Sequence, residues 1–163
     1  MNVLAAKVGE MLSSRGLMLA TAESCTGGGV AEAVTEIPGS SEWFERGFIT
    51  YANQAKVEML GVQEDTLRLH GAVSEAVVRE MAEGALRHSH AHISLAVSGI
   101  AGPGGGTPEK PVGTVFFAWS VRNGETRAHK LLFAGNRAEI RAQSVRIALQ
   151  GLLEIGGRIT ATA

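Results

Sequence analysis

The sequence predicts an α/β fold, a three-layer α/β/α sandwich in which helices cover both faces of a mixed sheet. Three observations predict it. Short apolar runs alternate with segments whose apolar residues recur at helical spacing. Gly-rich turns follow directly on two of those runs. Beyond them, two further strand-like runs flank Asn123-Gly124, a hairpin signal that adds antiparallel pairing.

Leu4, Val8, Met11 and Leu12 share a helical face, and Gly16 ends that first helix. Leu17 to Thr21 reads as a buried strand, followed at once by the turn ESCTGGG and a helix over VAEAVTEI. Pro38-Gly39-Ser40-Ser41 breaks the pattern, and Gly47 to Tyr51 forms a second strand. Asn53 is placed to cap a helix that runs through Leu60 and stops at Gly61. Ser74 caps the longer helix SEAVVREMAEGALRH, and His92 to Val97 makes a third strand. The loop SGIAGPGGGTPEKPVG follows, then the strands TVFFAWSV and TRAHKLLF. Asn136, with Glu139 three residues on, opens the last helix as a capping box. In such a sheet the strand-to-helix turns share one edge, where ligands bind, so the SCTGG turn and the GIAGPGGG loop are expected to face one crevice.

The totals narrow the function. A chain of 163 residues, 45% of them hydrophobic, fits one domain over residues 1–163 with a core of Ala, Val, Leu and Ile. The formal net charge of −1 argues against a dedicated nucleic-acid binder. Cys25 is the single cysteine, which excludes an internal disulfide and a cysteine metal cage. The first residues lack the apolar core of a signal peptide, and no run is long enough to span a bilayer, so the cytoplasm is the expected location and no membrane partner is expected. The amphipathic helices predict a homo-oligomer of unspecified size.

Several residues can carry chemistry. Glu23-Ser24-Cys25-Thr26-Gly27-Gly28 places two hydroxyls and a glycine pair at a helix N-terminus, where free N–H groups suit a phosphate, a carboxylate or an oxyanion. An ordinary capped turn is the plainer reading. The loop from Ser98 to Gly113 lacks a dinucleotide fingerprint, yet its length favours contact with a substrate over a solvated connection. Ser41 is followed by Tyr51 and Lys56, and a lysine serves as base when burial lowers its pKa. An exposed helix lysine is the competing account. His88, His90 and His92 alternate, which permits a metal site but fits solvated histidines at a helix end better. Arg137 and Arg141 share a helix face and can grip an anion. Cys25 is a rival nucleophile or simple packing.

Taken together, TAESCTGG, PGSSEWFERGFITYANQAKVEMLGV, HGAVSE and VSGIAGPGGGTPEKPVGTV occur in that order. The chain resembles the nicotinamide-nucleotide amidase family, the stand-alone form of the CinA C-terminal domain, over nearly its whole length. The resemblance implies hydrolysis of nicotinamide mononucleotide to nicotinate mononucleotide and ammonia, a step of pyridine nucleotide recycling, by a Ser/Lys amidohydrolase that needs neither metal nor other cofactor. It implies Ser41 as nucleophile, Lys56 as base and Tyr51 as its neighbour, with Ser24 as the alternative nucleophile. Ser24, Thr26, Gly27 and Gly28 are expected to line the nucleotide pocket with Ser98, Gly99, Gly102, Gly104, Gly105 and Arg137. The family carries a bulkier residue where Gly29 stands. The competing function is a non-catalytic or regulatory nucleotide-binding module.

Overall fold

A computed structural model describes residues 1–159 of the protein. Helix α1 (Asn2–Arg15) leads into strand β1 (Leu19–Glu23), helix α2 (Gly29–Thr35) and a single 3-10 turn (Ser40–Glu42). Strand β2 (Phe44–Ile49), α3 (Asn53–Leu60), α4 (Glu64–His70) and α5 (Glu75–Arg87) follow. Strands β3 (Ile93–Gly99), β4 (Thr114–Val121) and β5 (Thr126–Leu132) precede the long α6 (Arg137–Gly156). The sheet order is β2-β1-β3-β4-β5. β1 pairs parallel with β2 and β3, whereas β3–β4 and β4–β5 are antiparallel, so the expected mixed sheet is present.

Strand alternation builds two unequal faces. Leu19, Leu95, Val97, Phe117 and Trp119 share one core with Val8 and Leu12 of α1, Val30 of α2, and Leu149 and Leu152 of α6. Their neighbours Ala20, Ala22, Ala96 and Ala118 point the other way, into the core formed with Leu60, Val77, Val78 and Met81. Alanine on this face lets α5 lie close to the sheet, because helix-to-sheet distance is set by side-chain bulk. The result is three layers, as the alternation of elements predicts. Among the described residues no helix is long and apolar enough to cross a membrane.

Local signals fix many of the ends. Gly16 and Gly61 close α1 and α3 in the left-handed conformation at φ 64° and 72°. The Ser74 hydroxyl accepts the Val77 N–H, and both halves of the Asn136–Glu139 capping box form. Three expectations shift. β1 starts at Leu19, not Leu17, and β2 covers Phe44–Ile49, not Gly47 to Tyr51. Asn53 is the first helical residue of α3 after Ala52, and its side chain makes no cap. Helix α4 has no counterpart in the sequence reading, since its seven residues bury none and leave no apolar stripe to detect.

The parallel strands β1, β2 and β3 all end on one edge of the sheet, which gathers residues 24–28, 50–56 and 98–106 in one place. Ser41, in the 3-10 turn, precedes β2 and stands at the other edge. The six residues of β2 lie between Ser41 and the C-terminal edge, a span of about 20 Å.

Candidate active site

At that edge a cavity of about 280 Å³ opens between Ser24, Lys56, Ser98, the loop from Gly99 to Gly105, and Arg137. Lys56 sits in the first turn of α3 with its side chain only 1% exposed. Its Nζ lies 3.0 Å from Ser24 Oγ, 2.7 Å from the Thr50 carbonyl and 3.1 Å from the Tyr51 carbonyl. No carboxylate is among these partners. Burial pushes the amine down from 10.5 to about 8, against a small opposing influence of Cys25. An uncharged amine has two N–H groups and one lone pair. The two carbonyls take the N–H groups, which leaves the lone pair for the Ser24 hydroxyl.

Ser24 follows the last residue of β1, and its N–H donates to the Val97 carbonyl at 3.0 Å, which ties the turn to β3. The turn then needs glycine, because Gly27 and Gly28 take φ of 58° and 100°. Neither lines the cavity, and a Cβ on Gly28 would meet Ile49. Gly29 faces Val145 on α6, so a bulkier residue there would press on the helix layer and leave the cavity wall alone.

The α2 N-terminus is already filled. Glu23, fully buried, accepts the Thr26 hydroxyl at 2.6 Å and the Val30 N–H at 2.8 Å on one oxygen. Its second oxygen accepts the Ala31 N–H at 3.0 Å. The chain's own carboxylate therefore takes the place where a phosphate was expected, and it draws Thr26 away from the cavity. Glu23 escaped the sequence reading as a functional residue. An acid ending an apolar strand just before a helix was the available signal.

The remaining expected residues divide. Ser98, Gly99, Gly102, Gly104, Gly105 and Arg137 line the cavity with Ser24, Lys56 and Tyr51. Tyr51 meets Lys56 through its carbonyl only, since its phenol oxygen accepts from Arg137 at 3.0 Å. Arg137 also donates to the Gly102 carbonyl at 2.7 Å, bridging the two sides of the opening. Ser98 donates to the Ala72 carbonyl at 2.9 Å. Asn53, Ala72, Val73, Ile100 and Ala101 add to the wall beyond the expected pocket residues. Ser41, exposed beyond the far end of β2, is not brought to Lys56. Arg141 grips the turn's carbonyls at Cys25 and Thr26 instead of facing the cavity. Burial raises the Cys25 thiol to about 11, which keeps it protonated at neutral pH. His92 accepts the Met18 N–H and His88 bonds the Gly84 carbonyl, so two of the alternating histidines serve the backbone.

The family model described as the CinA C-terminal domain matches residues 1–155. The chain is 54% identical over 149 residues to the nicotinamide-nucleotide amidohydrolase PncC of Escherichia coli (strain K12), covering 91% of this chain and 90% of that protein. It is 57% identical over 143 residues to a CinA-like protein of Akkermansia muciniphila, covering 88% of this chain and 34% of that longer one. The crystal structure of the competence/damage inducible protein CihA from Agrobacterium tumefaciens superposes with a TM-score of 0.93 at 49% identity, covering 94% of each chain. The chain belongs to the CinA C-terminal domain family.

Proposed function

We propose that this protein hydrolyses the carboxamide of nicotinamide mononucleotide to nicotinate mononucleotide and ammonia, with Ser24 as nucleophile and Lys56 as its base. The contact of a buried, uncharged-capable amine with a serine hydroxyl at 3.0 Å carries the reading. The substrate is supported by the activity in the name of the Escherichia coli relative.

Lys56 takes the Ser24 proton as Oγ bonds to the carboxamide carbon, and backbone N–H groups of the turn hold the oxyanion. The protonated amine returns the proton to the departing nitrogen, and ammonia leaves. Water then attacks the ester, again with Lys56 as base, and acid and free Ser24 result. General base assistance of this kind is worth about 10²–10⁴ in rate. The substrate's phosphate is assigned to the glycine loop beside Arg137, where Gly102 and Gly105 take left-handed φ of 81° and 90°. The N–H groups of Gly104 and Gly105 have no acceptor among the described residues.

Ammonia release from nicotinamide mononucleotide tests the proposal. Ser24→Ala is expected to bind the nucleotide without turnover, and Lys56→Arg to fail despite its charge, while Ser41→Ala stays active. An inactive Ser41→Ala beside an active Ser24→Ala would overturn the assignment. Binding without ammonia release in the unmodified protein would favour the non-catalytic module.

A further inference from the structure

Lys56 is a buried amine without a counter-ion. Its partners are the Thr50 and Tyr51 carbonyls and the Ser24 hydroxyl, all of them neutral. Among the described residues no Asp, Glu or His lines the cavity. Glu23, one residue before Ser24, is committed to the Thr26 hydroxyl and to the Val30 and Ala31 N–H groups. On α3 itself, Glu58 accepts from Gln54. The acids of α5, which packs on α3, are also engaged: Glu75 with Arg79, Glu80 with Gln63 and Thr66, and Glu83 with Thr126. The hydrolysis ends by making the missing anion. Water adds to the acyl carbon as Lys56 takes one of its protons, the C–Oγ bond breaks, and Ser24 Oγ takes that proton back. The acid so formed then gives its own proton to the amine, which leaves a carboxylate beside an ammonium.

We propose that Lys56 is also the counter-ion of the product, so that nicotinate mononucleotide inhibits the enzyme by pairing its new carboxylate with the protonated amine. This rests on the Ser24–Lys56 reading given above. The carboxylate carbon is the one that Ser24 Oγ has just released, and Nζ stands 3.0 Å from that Oγ. A protonated Lys56 has three N–H groups, of which the two carbonyls hold two. The third is the one directed at Ser24 Oγ, in the cavity that both side chains line. The substrate's carboxamide carries no charge and forms no such pair. An opposite charge within about 4–6 Å favours the charged amine by about 10- to 1000-fold, and the acid's affinity gains by the same factor. The free amine sits at about 8, so the pair is at full strength below that pH and weakens above it. Product that accumulates at neutral pH therefore slows its own formation until it is drawn off. No other group in the wall titrates in this range. Arg137 keeps its charge throughout, and the Cys25 thiol is raised to about 11. The phosphate's second proton, lost near about pH 6, is common to substrate and product.

Initial rates of ammonia release from nicotinamide mononucleotide, with nicotinate mononucleotide added, give the inhibition constant. It should weaken about five- to tenfold between about pH 7 and about pH 9, with inhibition competitive throughout. Calorimetry on Ser24→Ala gives the substrate's affinity over the same range, and that affinity should not weaken. In Lys56→Met the product should bind at least about fivefold more weakly at about pH 7, with no change up to about pH 9. If that variant does not fold, the unmodified protein decides. Calorimetry in two buffers of different ionisation enthalpy at about pH 9 should show a proton taken up as the product binds. An inhibition constant that is flat or tightens as pH rises overturns the counter-ion role alone. So does product binding without proton uptake, or a parallel loss of substrate affinity. Absence of ammonia release from the unmodified protein overturns the hydrolase reading, and this inference with it.

Discussion

Burying an amine without a carboxylate destabilises the fold, and Lys56→Met measures by how much. The amine has an ordinary value of 10.5 and is held at about 8 in the folded chain. At about 1.4 kcal/mol per pH unit, that difference corresponds to about 3 kcal/mol of lost stability near neutral pH. The sign follows from which state holds the proton. Below about 8 the folded and unfolded chains both carry the charge, and the full cost is present. As pH rises from about 8 toward 10.5 the folded chain sheds its proton first, and the cost fades. At about pH 9.5 only about 1 kcal/mol remains by the same relation. Replacement by Met also strips the Thr50 and Tyr51 carbonyls of a donor, but that loss is the same at both pH values. Denaturant unfolding of both proteins at the two pH values isolates the charge. The Met variant's stability relative to the parent should fall by about 2 kcal/mol from the lower pH to the higher. A relative stability that does not change with pH would refute a buried, depressed Lys56, and the base assignment would lose its physical support.

Three further outcomes are expected. If neutral Lys56 is the base, kcat/KM should climb about tenfold between about pH 7 and about pH 9, as the uncharged fraction grows from about a tenth to about nine tenths; a flat profile would contradict this. Cys25→Ser should keep activity within a few-fold, because a thiol raised to about 11 offers little thiolate at neutral pH; a dead variant would bring thiol catalysis back. Glu23→Gln should lower stability by about 2 kcal/mol, or roughly 4–8 °C in Tm, because the amide's NH2 group must face a donor where the carboxylate oxygens accept three. Thermal melting at fixed pH checks it, with no shift as the contrary result.

Much of the fold is legible because the deciding interactions are local. A glycine at a helix end, a Ser or Asn before one and Asn-Gly between two strands act within a few residues, and Asn123 does take the positive φ of 60° that a tight hairpin demands. Helix α4 was not legible for the converse reason. It buries no side chain and leans on α5, so tertiary contact and not periodicity holds it. The alanine face of the sheet also escapes a reading by hydrophobicity, since Ala20 and Ala96 register as mild residues although both lie at the centre of a core.

The site was legible in its residue types and less so in its geometry. The Gly-rich turn invited an anion at the α2 N-terminus, yet helix dipoles attract any negative group, and Glu23 is the one already tethered there. Choosing between two serines needed only the direction of the strands. Ser24 comes directly after β1, Ser41 comes before β2, and Lys56 comes after β2. In parallel strands, residues that follow a strand share one edge and residues that precede it share the other. Strand order along the chain alone therefore puts Ser24 with Lys56 and separates Ser41 from both. Topology thus brings the Ser24 hydroxyl to the Lys56 amine, and that proximity supports Ser24 as the nucleophile of the proposed mechanism.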